Sequence, residues 1–203
     1  MTVASAHGLS GSAEYWPSLG SRGDRATFSL IFPRDSAVLV AGAPGAGKTT
    51  LLRRVAGGRA ERLDSEDIYA LVGARPGLRA FLRPLIHLVH HARIHLRLHR
   101  RGGAVLVHET GTRRFVRRAI ATSARRGGHP PHLLVLDVPR EVARAGQLAR
   151  KRSVRDAVFD RHIARLRALL AEPAGIAERD GFASVTLLSR DEANRLTALR
   201  FAT

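Results

Sequence analysis

The amino-acid sequence predicts an α/β protein: a three-layer α/β/α sandwich around a mainly parallel five-stranded sheet, in a single domain over residues 25–203. Three observations predict it. Short apolar runs recur between polar or glycine-rich stretches, as strands buried on both faces do. Longer segments between them carry apolar residues at helical spacing. The alternation keeps βαβ spacing throughout, which calls for parallel pairing and helices on the sheet faces.

Residues 1–24 are rich in Gly, Ser and Ala, lack a period, and are expected to form a loose leader. "ATFSLIF" (Ala26–Phe32) alternates loosely as a short strand or hairpin arm, ended by Pro33. "AVLVA" (Ala37–Ala41) is a fully buried strand running into a glycine loop, followed by the helix "KTTLLRRVAG" and a stop at Gly57-Gly58. "RLDSEDIYALVG" begins as a second strand and becomes a helix near Asp64 and Ser65. A long helix is predicted from Leu78 to about His99, with Pro84 as a first-turn proline or a kink. "AVLVH" (Ala104–His108), "HLLVLDV" (His132–Val138) and "FASVTLLS" (Phe182–Ser189) complete the five strands. The helices "RRFVRRAIATSARR", "REVARAGQLARKR" and "RDAVFDRHIARLRALLAEP" lie between and around them, and "DEANRLTALRF" is expected as a closing helix capped by Asp191.

The glycine loop carries the chemistry. Gly42-Ala43-Pro44-Gly45-Ala46-Gly47-Lys48-Thr49 fits G-x-x-x-x-G-K-[ST] and sits between a buried strand and a helix. Glycines let consecutive backbone N–H groups turn inward around phosphate oxygens. The helix N-terminus aims its partial positive charge at the same anion. Lys48 is expected to reach the β- and γ-phosphates and the Thr49 hydroxyl to bind Mg2+, with Thr50 completing the nucleotide-binding run. No guanine-selecting N-K-x-D occurs, which favours ATP over GTP.

Composition narrows the partners. The net charge is +17, from 34 basic and 17 acidic residues, and only Lys48 and Lys151 among the basic residues are lysines. Such an excess favours polyanions, nucleic acid among them, although a solvated basic surface would have the same composition. The chain has no cysteine, which excludes disulfides, thiol nucleophiles and Cys-ligated zinc. It has neither a membrane-spanning apolar run nor a secretory signal pattern, so a cytoplasmic location without membrane contact is expected.

Three further stretches carry candidate site residues. "LDSEDIY" places Asp64, Glu66 and Asp67 at the tip of the second strand, at the sheet edge where ligands bind. A carboxylate there can take a proton from an acceptor hydroxyl, another can hold magnesium through water, and ordinary helix capping is the alternative. "VHETGT" puts Glu109 at the tip of the third strand, as a metal or acceptor ligand or as a simple cap. "ARKRS" supplies Arg150, Lys151 and Arg152, cations that can close over a transferring phosphoryl group or end a solvated helix. His87, His91, His95 and His99 share i, i+4 spacing, but no third ligand is near in sequence. Neutral histidines on a helix flank are therefore expected, with acceptor binding as an open role.

In this order the motifs resemble the P-loop kinases of the polynucleotide 5'-kinase type and the zeta-toxin-like, AAA-type ATP-binding family, and more loosely the gluconate and adenylylsulfate kinases. The resemblance spans about residues 37–195, through "GAPGAGKTT", "LDSEDIY", "VHETGT" and "LLVLDVPREVARAGQLARKRSV". It implies ATP and Mg2+ at Lys48 and Thr49, an acidic base at Glu66 with Asp64 beside it, and lid arginines at Arg150 and Arg152. It also implies an acidic strand-tip residue at Glu109. The chain departs from the pattern where Tyr69 replaces an arginine, Gly111 replaces an asparagine and Glu66 replaces the preferred Asp. The resulting expectation is an ATP- and Mg-dependent kinase with a hydroxyl acceptor, either a nucleic-acid 5' end or a small metabolite. An ATP-binding or ATPase module with a basic partner-binding surface is the alternative, and a toxin-like kinase of a sugar nucleotide is a third.

Overall fold

Strand β4 (Ala37–Gly42) is buried at every residue and lies inside the main sheet. Its run of Val and Leu suits a strand covered on both faces. In the computed structural model, which describes residues 2–5, 14–16, 27–55, 57, 60–73, 76–149 and 155–202, β4 is flanked by β6 (Ala104–His108) and β7 (Pro131–Asp137), both parallel to it. Strand β5 (Ala60–Leu63) pairs with the outer side of β6, and β8 (Ser184–Ser189) with the outer side of β7. These are the five strands that the apolar runs predict.

The segment read as a leader contributes two short strands. β2 (Glu14–Trp16) adds a sixth parallel strand beside β8, giving the order β2-β8-β7-β4-β6-β5. β1 (Thr2–Ser5) pairs with β3 (Phe28–Phe32), which in turn pairs with β9 (Leu196–Phe201), forming a separate three-stranded parallel sheet.

β9 corrects one expectation. The tail is not a single closing helix: α8 covers only Arg190–Arg195 and the chain then runs as a strand. Leu196 and Leu199 are three residues apart and imitate a helical stripe, but both are buried within the packing of β9 beside β3. The cap differs too. Ser189, not Asp191, caps α8, in a reciprocal capping box with Glu192.

The helices follow the sequence pattern closely. They are α1 (Lys48–Val55), α2 (Ser65–Leu71), α3 (Pro76–Leu98), α4 (Arg114–Arg126), α5 (Arg140–Ala149), α6 (Asp156–Ala171) and α7 (Pro173–Asp180). Pro84 lies inside α3. α7 was not anticipated; it starts on Pro173 and ends on Gly181, which takes a left-handed conformation. One continuous apolar core joins the sheet to α1, α4 and α6 through Leu52, Ile120 and Phe159. Among the described residues no helix is long and apolar enough to cross a membrane.

The strand order positions the site. From β4 the chain's successive strands go to opposite sides, β5 and β6 one way and β7 and β8 the other. A crevice opens at the carboxyl end of the sheet at such a reversal. The phosphate loop, the β5 tip and the β6 tip all lie along that edge.

Candidate active site

The loop after β4 has the backbone that its glycines suggest. Gly45 and Gly47 have φ of 86° and 94°, in the region that side chains avoid. A Cβ on Gly45 would also collide with the Ala143 carbonyl of α5, and Gly146 of α5 sits equally tightly against the Gly45 carbonyl. Gln147 reinforces the contact by donating from Nε2 to Pro44 O at 3.2 Å. The outer wall of the loop is thus the face of a helix.

Lys48 is buried and curls back over the loop, donating from Nζ to Gly42 O at 2.8 Å and Ala43 O at 3.0 Å. Because α1 begins at Lys48, the loop amides and the helix N-terminus converge on one point. Arg190 brings a further cation close: its guanidinium stands 3.0 Å from where a Gly47 Cβ would be. This cradle fits a nucleoside triphosphate.

At the β5 tip the three carboxylates take different roles. Asp64 is buried and caps α2, accepting the Glu66 N–H at 3.0 Å. Its Oδ1 is also 2.8 Å from His108 Nδ1 on β6. Burial opposes the charge on Asp64, but His108, the capped amide and Arg62 outweigh it and hold the carboxyl at about 2. Oδ2 is buried and takes no hydrogen bond, as a cation or its water shell would require of a ligand. Asp67 is engaged by Arg62 at 3.4 Å and Arg93 at 3.8 Å. Glu66 follows the cap in the first turn of α2, half-buried. Asp64 therefore caps α2 through Oδ1 while its Oδ2 takes no hydrogen bond.

The β6 tip is tied to the phosphate loop, since the Gly42 N–H donates to Thr110 O at 3.1 Å. Glu109 is fixed by its neighbour: Oε1 accepts from both the N–H and the hydroxyl of Thr110 at 2.8 Å. Burial opposes its ionisation, but these bonds and the nearby His91 and His90 keep it below the usual carboxylate range. Gly111, where the sequence resemblance has asparagine, has φ of 62°, and a Cβ there would stand 2.5 Å from Ala41 Cβ. Its carbonyl is held by Arg117 NH1 at 2.8 Å.

Two histidines without an assigned role in the sequence reading join the site. His108 backs Asp64. His162, on α6, meets Thr112 Oγ1 at 3.1 Å. Burial, then Lys48, Arg165, Arg113 and Arg83, push its pKa down to about 4, so it is neutral at neutral pH. The basic-His pair Arg161-His162 belongs to the resemblance, but the partner of His162 is not marked locally, since Thr112 is fifty residues away and meets it only through the packing of α6. Beside Thr112 an open cleft of about 760 Å³ is lined by Arg113, Arg114, Phe115, Arg118 and Arg165. The expected lid arginines, Arg150 and Arg152, lie outside the described residues.

A phosphate loop between a central parallel strand and a helix, with acidic strand tips alongside, defines the P-loop class of nucleotide-binding α/β proteins. Within that class, residues 38–173 match the AAA_33 family model, an AAA domain, and the chain belongs to that family. No curated protein matches the sequence. Among solved structures, the fold is similar to one from the PezAT chromosomal toxin-antitoxin system of Streptococcus pneumoniae. That match has a TM-score of 0.57 at 16% identity and covers 81% of this chain and 71% of the other. A shikimate kinase from Acinetobacter baumannii in complex with shikimate matches at TM-score 0.49 and 22% identity, over 79% and 88% of the two chains. A gluconokinase from Sinorhizobium meliloti 1021 matches at 0.48 and 15%, over 81% and 93%. At 16% identity the likeness to the first of these is one of fold.

Proposed function

We propose that this protein is an ATP- and Mg-dependent phosphotransferase that moves the γ-phosphate of ATP to a hydroxyl on an anionic acceptor. The observation that carries the reading is the meeting of three strand ends. The Gly42–Thr49 loop, the Asp64–Glu66 tip and the Glu109–Thr112 tip share one sheet edge, locked by the bond from Gly42 to Thr110. A bare hydrolase needs only a positioned water; a buried carboxylate beside a separate arginine-lined cleft suits a second substrate.

In this reading Lys48, the backbone N–H groups that the loop turns inward after Pro44, and Thr50 hold the triphosphate. The acceptor oxygen attacks Pγ while the bond from Pγ to the β-bridging oxygen breaks, and ADP leaves with that electron pair. The hydroxyl proton passes to Glu66. Asp64 is too weak a base at about 2 for that step, and serves better as a fixed anion. Mg2+, held by Thr49 and through water by Asp64 Oδ2, would neutralise charge on the phosphate oxygens. Arg150 and Arg152 would close over the transferring group.

The cleft bears on the acceptor. Arg113, Arg114, Arg118 and Arg165 surround it, and the exposed Phe115 ring lies under Arg113 at 5.9 Å. Arginines with an exposed ring suit the phosphates and end base of a single strand, so a polynucleotide 5'-hydroxyl is the favoured acceptor. Incubation with γ-labelled ATP tests this against 5'-hydroxyl oligonucleotides, sugar acids and no acceptor. Label on the oligonucleotide is expected; label on a sugar acid alone would move the acceptor to a metabolite. Release of free phosphate only, unaffected by any acceptor, would favour an ATPase module, the reading that Tyr69 and Gly111 support.

A further inference from the structure

His87 and His91 stand four residues apart on α3, so their rings project from one helix face. The third partner comes from another element. Ligand atoms of His87, His91 and Glu109 all lie within 4.8 Å of one another, with His91 Nε2 3.7 Å from Glu109 Oε2. Glu109 is divided between two tasks: Thr110 holds Oε1 with two hydrogen bonds, which aims Oε2 at the histidines. A carboxylate oriented in this way from outside is the usual setting of a metal ligand. A plain His91–Glu109 ion pair would leave His87 without a reason to converge on the same point.

We propose that His87, His91 and Glu109 bind one divalent transition-metal ion of the zinc type. Two imidazoles and a carboxylate form a three-ligand set that leaves a coordination position open. Imidazole nitrogen is a poor ligand for magnesium, so this ion is distinct from the one expected at Thr49. Glu109 of the ligand set lies at the β6 tip, one residue before the Thr110 carbonyl that anchors the phosphate loop. The open coordination position would take water or an oxygen of the acceptor. The binding of the ion does not depend on whether the protein transfers or hydrolyses phosphate.

The test is a calorimetric titration of the chelator-stripped full chain with Zn2+ in excess Mg2+, with Co2+ as a spectroscopic probe. A single saturable zinc site is expected, and cobalt should give visible absorption bands that zinc abolishes. His87→Ala and His91→Ala should each weaken binding roughly a hundredfold, and Glu109→Gln at least about tenfold. His99→Ala, at an exposed position just past the end of the same helix, should leave binding unchanged. Zinc should raise the melting temperature of the wild type and not that of His91→Ala. Absence of saturable uptake by the wild type overturns the proposal whether or not any variant folds. So does uptake unchanged in His91→Ala, or lost equally in His99→Ala, since either would mean adventitious binding to surface histidines.

Discussion

Arg117 and Asp180 form a buried ion pair at 2.6 Å that joins α4 to the end of α7. The same guanidinium holds the Gly111 carbonyl, so the pair braces the loop that follows β6. Removing one partner leaves an uncompensated buried charge. Asp180→Asn should destabilise the fold by about 3 kcal/mol, read from denaturant unfolding. Its activity should fall further than its folded fraction does, because the Gly111 loop loosens.

The phosphate loop was legible because its signal is local: eight consecutive residues between an apolar run and a helix. The five main strands were legible for the same reason. Contacts across the chain were not. Glu109 is eighteen residues from His91 and meets it only because α3 returns along the sheet to feed β6. That fold-back supplies the third ligand that a search close in sequence to the histidines could not find. The tail misled because Leu196 and Leu199 keep helical spacing while the free edge of β3 captures the segment as a strand. Asp64 was legible as a cap, but its contact with His108 on β6 was not, because it joins residues forty-four apart.

Gly45→Ala should be costly out of proportion to one methyl group. The residue sits at φ 86°, and the added carbon would meet the Ala143 carbonyl of α5, which cannot give way as a flexible side chain does. A loss of about 2 kcal/mol in stability is expected, together with at least a tenfold loss of ATP affinity. Thermal unfolding and nucleotide titration check the two separately.

Acid should weaken the fold through His132. Burial pushes its pKa from 6.5 down to about 4, and its Nδ1 pairs with Ser184 Oγ at 2.8 Å. The folded state therefore favours the neutral ring. Its contribution is fully present above pH 6.5 and is lost as pH falls from there toward 4, when the unfolded chain binds the proton more tightly. The loss is on the order of 3 kcal/mol across that window. His132→Asn should flatten the melting temperature against pH over the same range.

ATP should change the titration of His162. Lys48 and three arginines help to keep it near 4. A bound triphosphate neutralises that field, and the pKa should rise by about one unit or more, followed by NMR of the ring protons. An unchanged value with saturating ATP would place His162 away from the phosphates.

The most direct measurement of the central claim is the balance of products in one reaction with γ-labelled ATP, Mg2+ and a 5'-hydroxyl oligonucleotide. Label on the oligonucleotide should equal the ADP formed, fall at least about a hundredfold in Glu66→Gln, and vanish in Lys48→Ala. ADP formed at the same rate with or without the acceptor, with all label in free phosphate, would contradict the account.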